Sequence, residues 1–148
     1  MVYNSKYISR TGRLSCSAGE FFDFIGDLRN LGQFVPAETV TNWQSTADSC
    51  SFLVPPLGTV RMKITERIPN SKVSFSGDAL NMNDFNIEVR IEANENNLTE
   101  VKIILNADLN PLLKGIASGP IERFLETLVC EMEKFEEWNT TFKESQPL

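Results

Sequence analysis

The hydrophobic period changes along the chain. Between Val40 and Leu109 apolar residues recur at every second position, whereas Phe21–Leu28 and Ile121–Phe135 show helical spacing. In the middle block Val60, Met62, Ile64 and Ile68 alternate with Arg61, Lys63, Thr65 and Arg67. Val73 and Phe75 alternate with Lys72, Ser74 and Ser76, and Phe85, Ile87, Val89 and Ile91 with Asn86, Glu88, Arg90 and Glu92. Val101, Ile103, Leu105, Ala107 and Leu109 form the last apolar row. This alternation predicts half-buried strands with one wet face. Two shorter runs, Val40–Ser45 and Cys50–Val54, precede them across Ala47-Asp48-Ser49, and Pro55-Pro56-Leu57-Gly58 leads on to Val60. Connections this short make antiparallel neighbours.

The flanks are mostly helical. Tyr7–Leu14 reads as a first strand of weak alternation, with Gly12 marking a bulge. Ser17-Ala18-Gly19-Glu20 is a capping box, and Cys16 and Phe21 are spaced as its hydrophobic staple. Phe21, Phe24, Ile25 and Leu28 then form one apolar face. Gly26-Asp27 breaks that helix, Asp27 caps a second short one over Leu28–Phe34, and Pro36 ends it. Asn110-Pro111 opens the C-terminal helix, and Ser118-Gly119-Pro120 predicts either a kink or a fresh start. Ile121, Phe124, Leu125, Leu128, Val129, Met132 and Phe135 form its stripe, which Trp138 and Phe142 extend. Such a helix needs an apolar surface, and the inner face of the sheet is the one available. The expectation is an α+β chain, read over residues 1–148 as a single domain.

Composition narrows the chemistry. The chain has 148 residues, and 14 Lys+Arg against 20 Asp+Glu leave a net charge of −6. That balance lacks the basic footprint of nucleic-acid binding. With no His, imidazole acid–base catalysis, Ser-His and Cys-His pairs and imidazole metal sites are all excluded. Cys16, Cys50 and Cys130 are odd in number and widely spaced, so they read as reduced small hydrophobes. No basic n-region with an apolar h-region opens the sequence, and no stretch approaches the ~20 apolar residues of a membrane span. The expected compartment is the cytoplasm, with no stable membrane insertion, metal or cofactor.

Glu66 is the most informative polar position. It falls in phase with Val60, Met62 and Ile64, where an unpaired carboxylate is costly. Either it anchors a ligand in the interior, or the strand bulges before Pro69 and carries it to solvent. Asn42 and Gln44 share the phase of Val40 and belong either to an interior surface or to an edge strand. Trp43 and Phe52 suit core, rim or ligand packing equally. Phe124, Leu128, Met132 and Phe135 are core positions, some of which must face any cavity, and Met62 is similar. Asp23 and Asp27, at i and i+4, lie on a polar face. Glu131, Glu133, Glu136 and Glu137 lack the loop geometry of a calcium site. Arg61, Lys63, Arg67 and Lys72 form a solvated hairpin face, and Gly115–Gly119 lacks Walker spacing.

The order of strand, two short helices, six antiparallel strands and long helix resembles the START-related SRPBCC superfamily, particularly its polyketide-cyclase/dehydrase and lipid-transport branch. Leu14–Asp27 looks like that family's entry into its first helix, Leu31–Pro36 like its second helix and following Pro, and Glu66–Phe75 like its central hairpin. The resemblance covers roughly Tyr7 to Phe142. It implies a helix-grip fold: a curved antiparallel sheet of about seven strands wrapped around the C-terminal helix, with a hydrophobic cavity between them. On that reading Trp43, Phe52, Met62, Ile64, Glu66, Phe75, Phe85, Phe124, Leu128 and Met132 line a ligand site. The function it implies is binding or carrying a small hydrophobic molecule, such as a lipid, isoprenoid or aromatic metabolite. The family hosts two alternatives. One is an aromatase/cyclase-like enzyme, for which Glu66, Asn42 and Tyr7 are the candidates. The other is a protein-interaction helper resembling a carbon monoxide dehydrogenase accessory protein, marked by an apolar patch near the first helices.

Overall fold

A computed structural model describes residues 3–38, 40–55, 57–79, 82–93, 98–136 and 138, with residues 82 and 83 described by their backbone. Pro56 and Phe142 of the readings above lie outside them. Eight strands form one antiparallel sheet: β1 (Ser5–Ile8), β2 (Gly12–Leu14), β3 (Thr41–Ser45), β4 (Ser49–Val54), β5 (Gly58–Ile68), β6 (Lys72–Ala79), β7 (Met82–Ala93) and β8 (Thr99–Ala107). Their order is β1-β8-β7-β6-β5-β4-β3, and β2 also pairs with β8. The helices are α1 (Ala18–Ile25), α2 (Leu28–Leu31), which runs into a 3₁₀ turn at Gly32–Phe34, and α3 (Pro111–Lys134). This is the helix-grip arrangement, with a curved sheet, two short helices after the first strands and a long C-terminal helix.

Local chemistry sets most boundaries. Ser17 Oγ accepts from the Glu20 amide while Glu20 Oε1 accepts from the Ser17 amide, so both halves of the capping box form. Asp27 caps α2 by accepting from the Arg29 amide at 3.0 Å. Its carboxyl lies below the usual carboxylate range because the Arg29 guanidinium donates to it. Asn110 Oδ1 accepts from the Leu113 amide and Pro111 follows at the start of α3.

Three expectations about elements change. Tyr7–Leu14 is not one strand with a bulge. The chain leaves the sheet after Ile8, where Ser9 Oγ accepts from the Ile103 amide, and rejoins β8 at Gly12. Gly12 is required by close approach: a Cβ there stands 2.7 Å from Val129 Cγ1 on α3 and 3.1 Å from Val101 Cγ1. The C-terminal helix is neither broken nor restarted at Pro120, which sits inside one continuous helix. Lacking an N–H, Pro120 leaves the Ile116 carbonyl without its helical donor. The apolar stripe does not stay helical to Trp138, because α3 ends at Lys134 and Phe135 is extended (ψ 140°). Phe135 and Trp138 still turn inward, to the aromatic rings of α1 and the 3₁₀ turn.

Candidate functional site

The inner face of the sheet and the buried side of α3 enclose one continuous apolar core, built unevenly from end to end. At the α1 end, Phe21, Phe24, Phe34, Phe135 and Trp138 pack with ring centroids 4.8–5.9 Å apart, mostly edge-on. Phe21, Phe24 and Phe34 are buried to within 1%. At the other end α3 stands off the sheet and leaves a cavity of about 60 Å³. Phe52 and Val54 of β4, Pro55 and Leu57 of the following turn, Val60 and Met62 of β5, Phe85 and Ile87 of β7 and Leu105 of β8 form one wall. Ala117, Pro120, Ile121 and Phe124 of α3 form the other. Val54, Leu57, Pro120 and Phe124 are only half-buried, so they form a rim through which the cavity reaches the surface.

Backbone and side-chain geometry explain why the void lies here. Gly77 of β6 faces inward beneath Met62 and Phe85. A Cβ at Gly77 would run into the Arg61 carbonyl and stand 2.7 Å from Phe85 Cζ, so the glycine lets both cavity-wall side chains lie flat against the sheet. Ala117, fully buried, is the smallest side chain on the α3 wall. The helix is held above the cavity by polar contacts at its flank. Tyr7 Oη and Ser118 Oγ are 2.7 Å apart, and Ser118 Oγ donates to the Lys114 carbonyl at 2.7 Å, so the Tyr7 hydroxyl is the donor to Ser118. Further along, Arg10 donates to Glu126 at 3.0 Å and to Glu133 at 2.7 Å. Both carboxyls are held below their usual range by those hydrogen bonds. This clamp ties the β1–β2 link to α3.

Of the ten residues read as ligand-lining, Phe52, Met62, Phe85 and Phe124 lie in the cavity wall. Trp43 is one layer back. It stacks on Phe52 with centroids 5.2 Å apart and rings inclined by 20°, and it rests on Gly32, where a Cβ would stand 2.7 Å from its indole nitrogen. Phe75, Leu128 and Met132 are buried in the core away from the cavity, and Ile64 is half-buried at the core margin. Glu66 is corrected outright. The β5–β6 register shifts between Ile64 and Glu66, so one extra residue turns the end of the strand over. Glu66 then faces outward opposite Ser74 and pairs with Lys72 Nζ at 3.0 Å. The same shift sends Arg67 to the α1 end, where it donates to the Gly26 carbonyl at 2.8 Å and to Asp48 at 2.8 Å. Asn42 is exposed on the edge strand β3 at φ 56°, where the β3–β4 register also shifts. Tyr7, Asn42 and Glu66 therefore occupy three separate places and make no common site.

Several wall residues were not singled out from the sequence. Val60, Ile87, Leu105 and Ile121 carried the right phase but no feature to set them above other core positions. Pro55, Leu57 and Pro120 read as turn and kink residues, and only the packing makes them a rim. A second hollow of about 530 Å³, beside the exposed Arg61, Lys63, Asp78 and Asp84, is open to solvent and polar. Its charges partly pair with one another, Arg61 standing 3.5 Å from Asp78, and it does not enclose a ligand. Cys16 and Cys50 are buried free thiols, pushed up to about 11 and about 12 by that burial, and so stay protonated and unreactive near neutral pH. Among the described residues no group of His, Cys, Asp or Glu is placed to hold a metal ion, and no helix is long and apolar enough to cross a membrane.

No protein-family model matches the chain, and no curated protein matches it in sequence. Solved structures do match its fold. A START superfamily protein from Mycobacterium smegmatis superposes with a TM-score of 0.64 at 12% identity, covering 87% of this chain and 97% of the other. XoxI from Bacillus cereus gives 0.61 at 12% identity over 86% and 95%, and CalU16 from Micromonospora echinospora 0.53 at 13% over 86% and 85%. The chain thus has the START-like helix-grip fold, and the likeness at this identity speaks for the fold alone.

Proposed function

We infer that the protein binds a small hydrophobic molecule, or the hydrophobic part of one, between the sheet and α3. A single observation carries this reading: the wall of the cavity is almost wholly apolar, and a half-buried rim connects it to the surface. An apolar void of this kind stays dry, so an apolar ligand entering it displaces no bound water and gains dispersion contacts. The wall supplies no titratable or nucleophilic group, so affinity comes from shape and burial, at about 25 cal/mol per Å² of apolar surface before association costs.

The volume limits the ligand. A cavity of about 60 Å³ is far below the ~300–1,000 Å³ of a site that encloses a drug-sized molecule. The ligand fills the void with a few carbons, or moves the rim side chains Leu57 and Phe124 aside and draws α3 outward at Pro120. The helper reading calls for an exposed apolar patch at the first helices. The large apolar side chains that stand exposed among the described residues are Ile8, Ile68, Leu98, Leu112 and Ile116, none of them on α1 or α2. Native mass spectrometry before and after mild organic extraction tests the binding reading. The expected result is a co-purifying hydrophobic mass lost on extraction, or uptake of an added short-chain alcohol. A chain that carries nothing and takes up nothing at millimolar ligand refutes it.

A further inference from the structure

The cavity wall is uncharged, but its mouth is not electrically neutral. One bank is the β4–β5 hairpin, which from Ser49 to Thr65 holds Arg61 and Lys63 and no acidic residue. The other bank is α3 at Pro120 and Phe124, and Arg123 lies between them in sequence. The Arg123 side chain runs back along the helix: its Nη1 lies 3.5 Å from where a Cβ on Gly119 would stand, beside the rim residue Pro120. Acids are near in sequence yet do not engage it. Glu122 is its immediate neighbour and so faces away on a helix, and Glu126 is taken by Arg10 at 3.0 Å. Among the described residues Arg123 makes no ion pair. In a chain of net charge −6, a guanidinium without a counter-ion stands at the entrance of an apolar slot.

We propose that the occupant is a small amphiphilic anion, with a short hydrocarbon tail in the cavity and a carboxylate at Arg123. This rests on the reading of the cavity as an apolar binding site and adds the chemistry of its mouth. Guanidinium is charged at every working pH and receives a carboxylate through two parallel N–H donors. An alcohol of the same length fills the cavity but leaves Arg123 with water, and a bare phosphate meets Arg123 but leaves the cavity empty.

Isothermal titration calorimetry of the full chain with hexanoate, 1-hexanol and inorganic phosphate separates these cases. The expected result at low salt is hexanoate binding about three- to fivefold tighter than hexanol, as an exposed charge pair allows, with the preference shrinking as salt is added. In Arg123→Gln the two ligands bind equally and hexanol is unaffected. Equal affinity in the native chain, a preference that survives Arg123→Gln, or displacement of hexanoate by phosphate alone each overturn the head-group assignment and leave the cavity reading standing. Failure of both six-carbon ligands to bind the native chain overturns the cavity reading, and this inference with it.

Discussion

The two ends of the interior are built on the same sheet and under the same helix, yet one is filled and the other is not. At the α1 end five aromatic side chains from α1, the 3₁₀ turn and the segment after α3 close on one another. At the opposite end the facing residues are Ala117 and Pro120 on the helix and the β4–β5 turn on the sheet, and a void remains. The difference lies in what meets α3. Where short helices cap the sheet, their rings reach the helix. Where only a hairpin rims it, nothing is long enough to cross. A helix-grip fold thus keeps its stability and its binding capacity at opposite ends of one core.

The contrast is broken most severely at the filled end. Phe24→Ala removes a fully buried ring that touches Phe34, Phe135 and Trp138, and is expected to cost about 3–5 kcal/mol. Phe124→Ala, at the half-buried rim, is expected to cost roughly half as much and to widen the cavity. Urea titrations of the two variants measure both, and equal losses would mean that the ends are equally packed. Gly77→Ala attacks the cavity floor. Its new methyl meets the Arg61 carbonyl and Phe85, with an expected loss of about 1–3 kcal/mol and weakened ligand uptake, read by thermal melting and by titration.

The Arg10 clamp gives a smaller, pH-dependent effect. Glu126 and Glu133 are held below their usual range when bound to Arg10. A lowered folded-state value means stability that is present above the unfolded carboxylate value of about 4.3 and lost as pH falls through the folded one. The native chain should therefore lose stability on acidification below about pH 4, and Arg10→Ala should flatten that loss while costing about 1 kcal/mol at neutral pH. An unchanged acid limb in chemical denaturation would show the clamp to be energetically idle. Ala117→Val has the smallest expected effect on stability, within about 1 kcal/mol, because its two methyl groups enter existing space. It should nonetheless abolish ligand uptake, which calorimetry with hexanol checks.

Most elements were legible because local rules govern them. Period-two runs marked the strands, the Ser17–Glu20 box and Asp27 marked the helix starts, and Asn110-Pro111 marked the start of α3. The misread positions share one cause: a single residue inserted or displaced by a contact distant in sequence. Glu66 kept the inward phase on paper, and the shift opposite Ser74 turned it out. The first strand was continuous on paper, and the clamp of Arg10 on α3 draws its middle away from β8.

The sequence by itself determined that this chain is an α+β protein with a half-wet antiparallel sheet, a long amphipathic helix to cover it, and no imidazole chemistry. Periodicity, capping and composition are properties of neighbours along the chain, so they are visible there. Only the tertiary structure decided where the core is full and where it is hollow. Phase separates inward from outward but does not say which inward side chain meets another across the interior. Whether Phe52 and Phe124 close a gap or border one depends on the height at which α3 crosses the sheet. That height is set together by Gly12 against Val129, Tyr7 against Ser118 and the aromatic cluster at the far end.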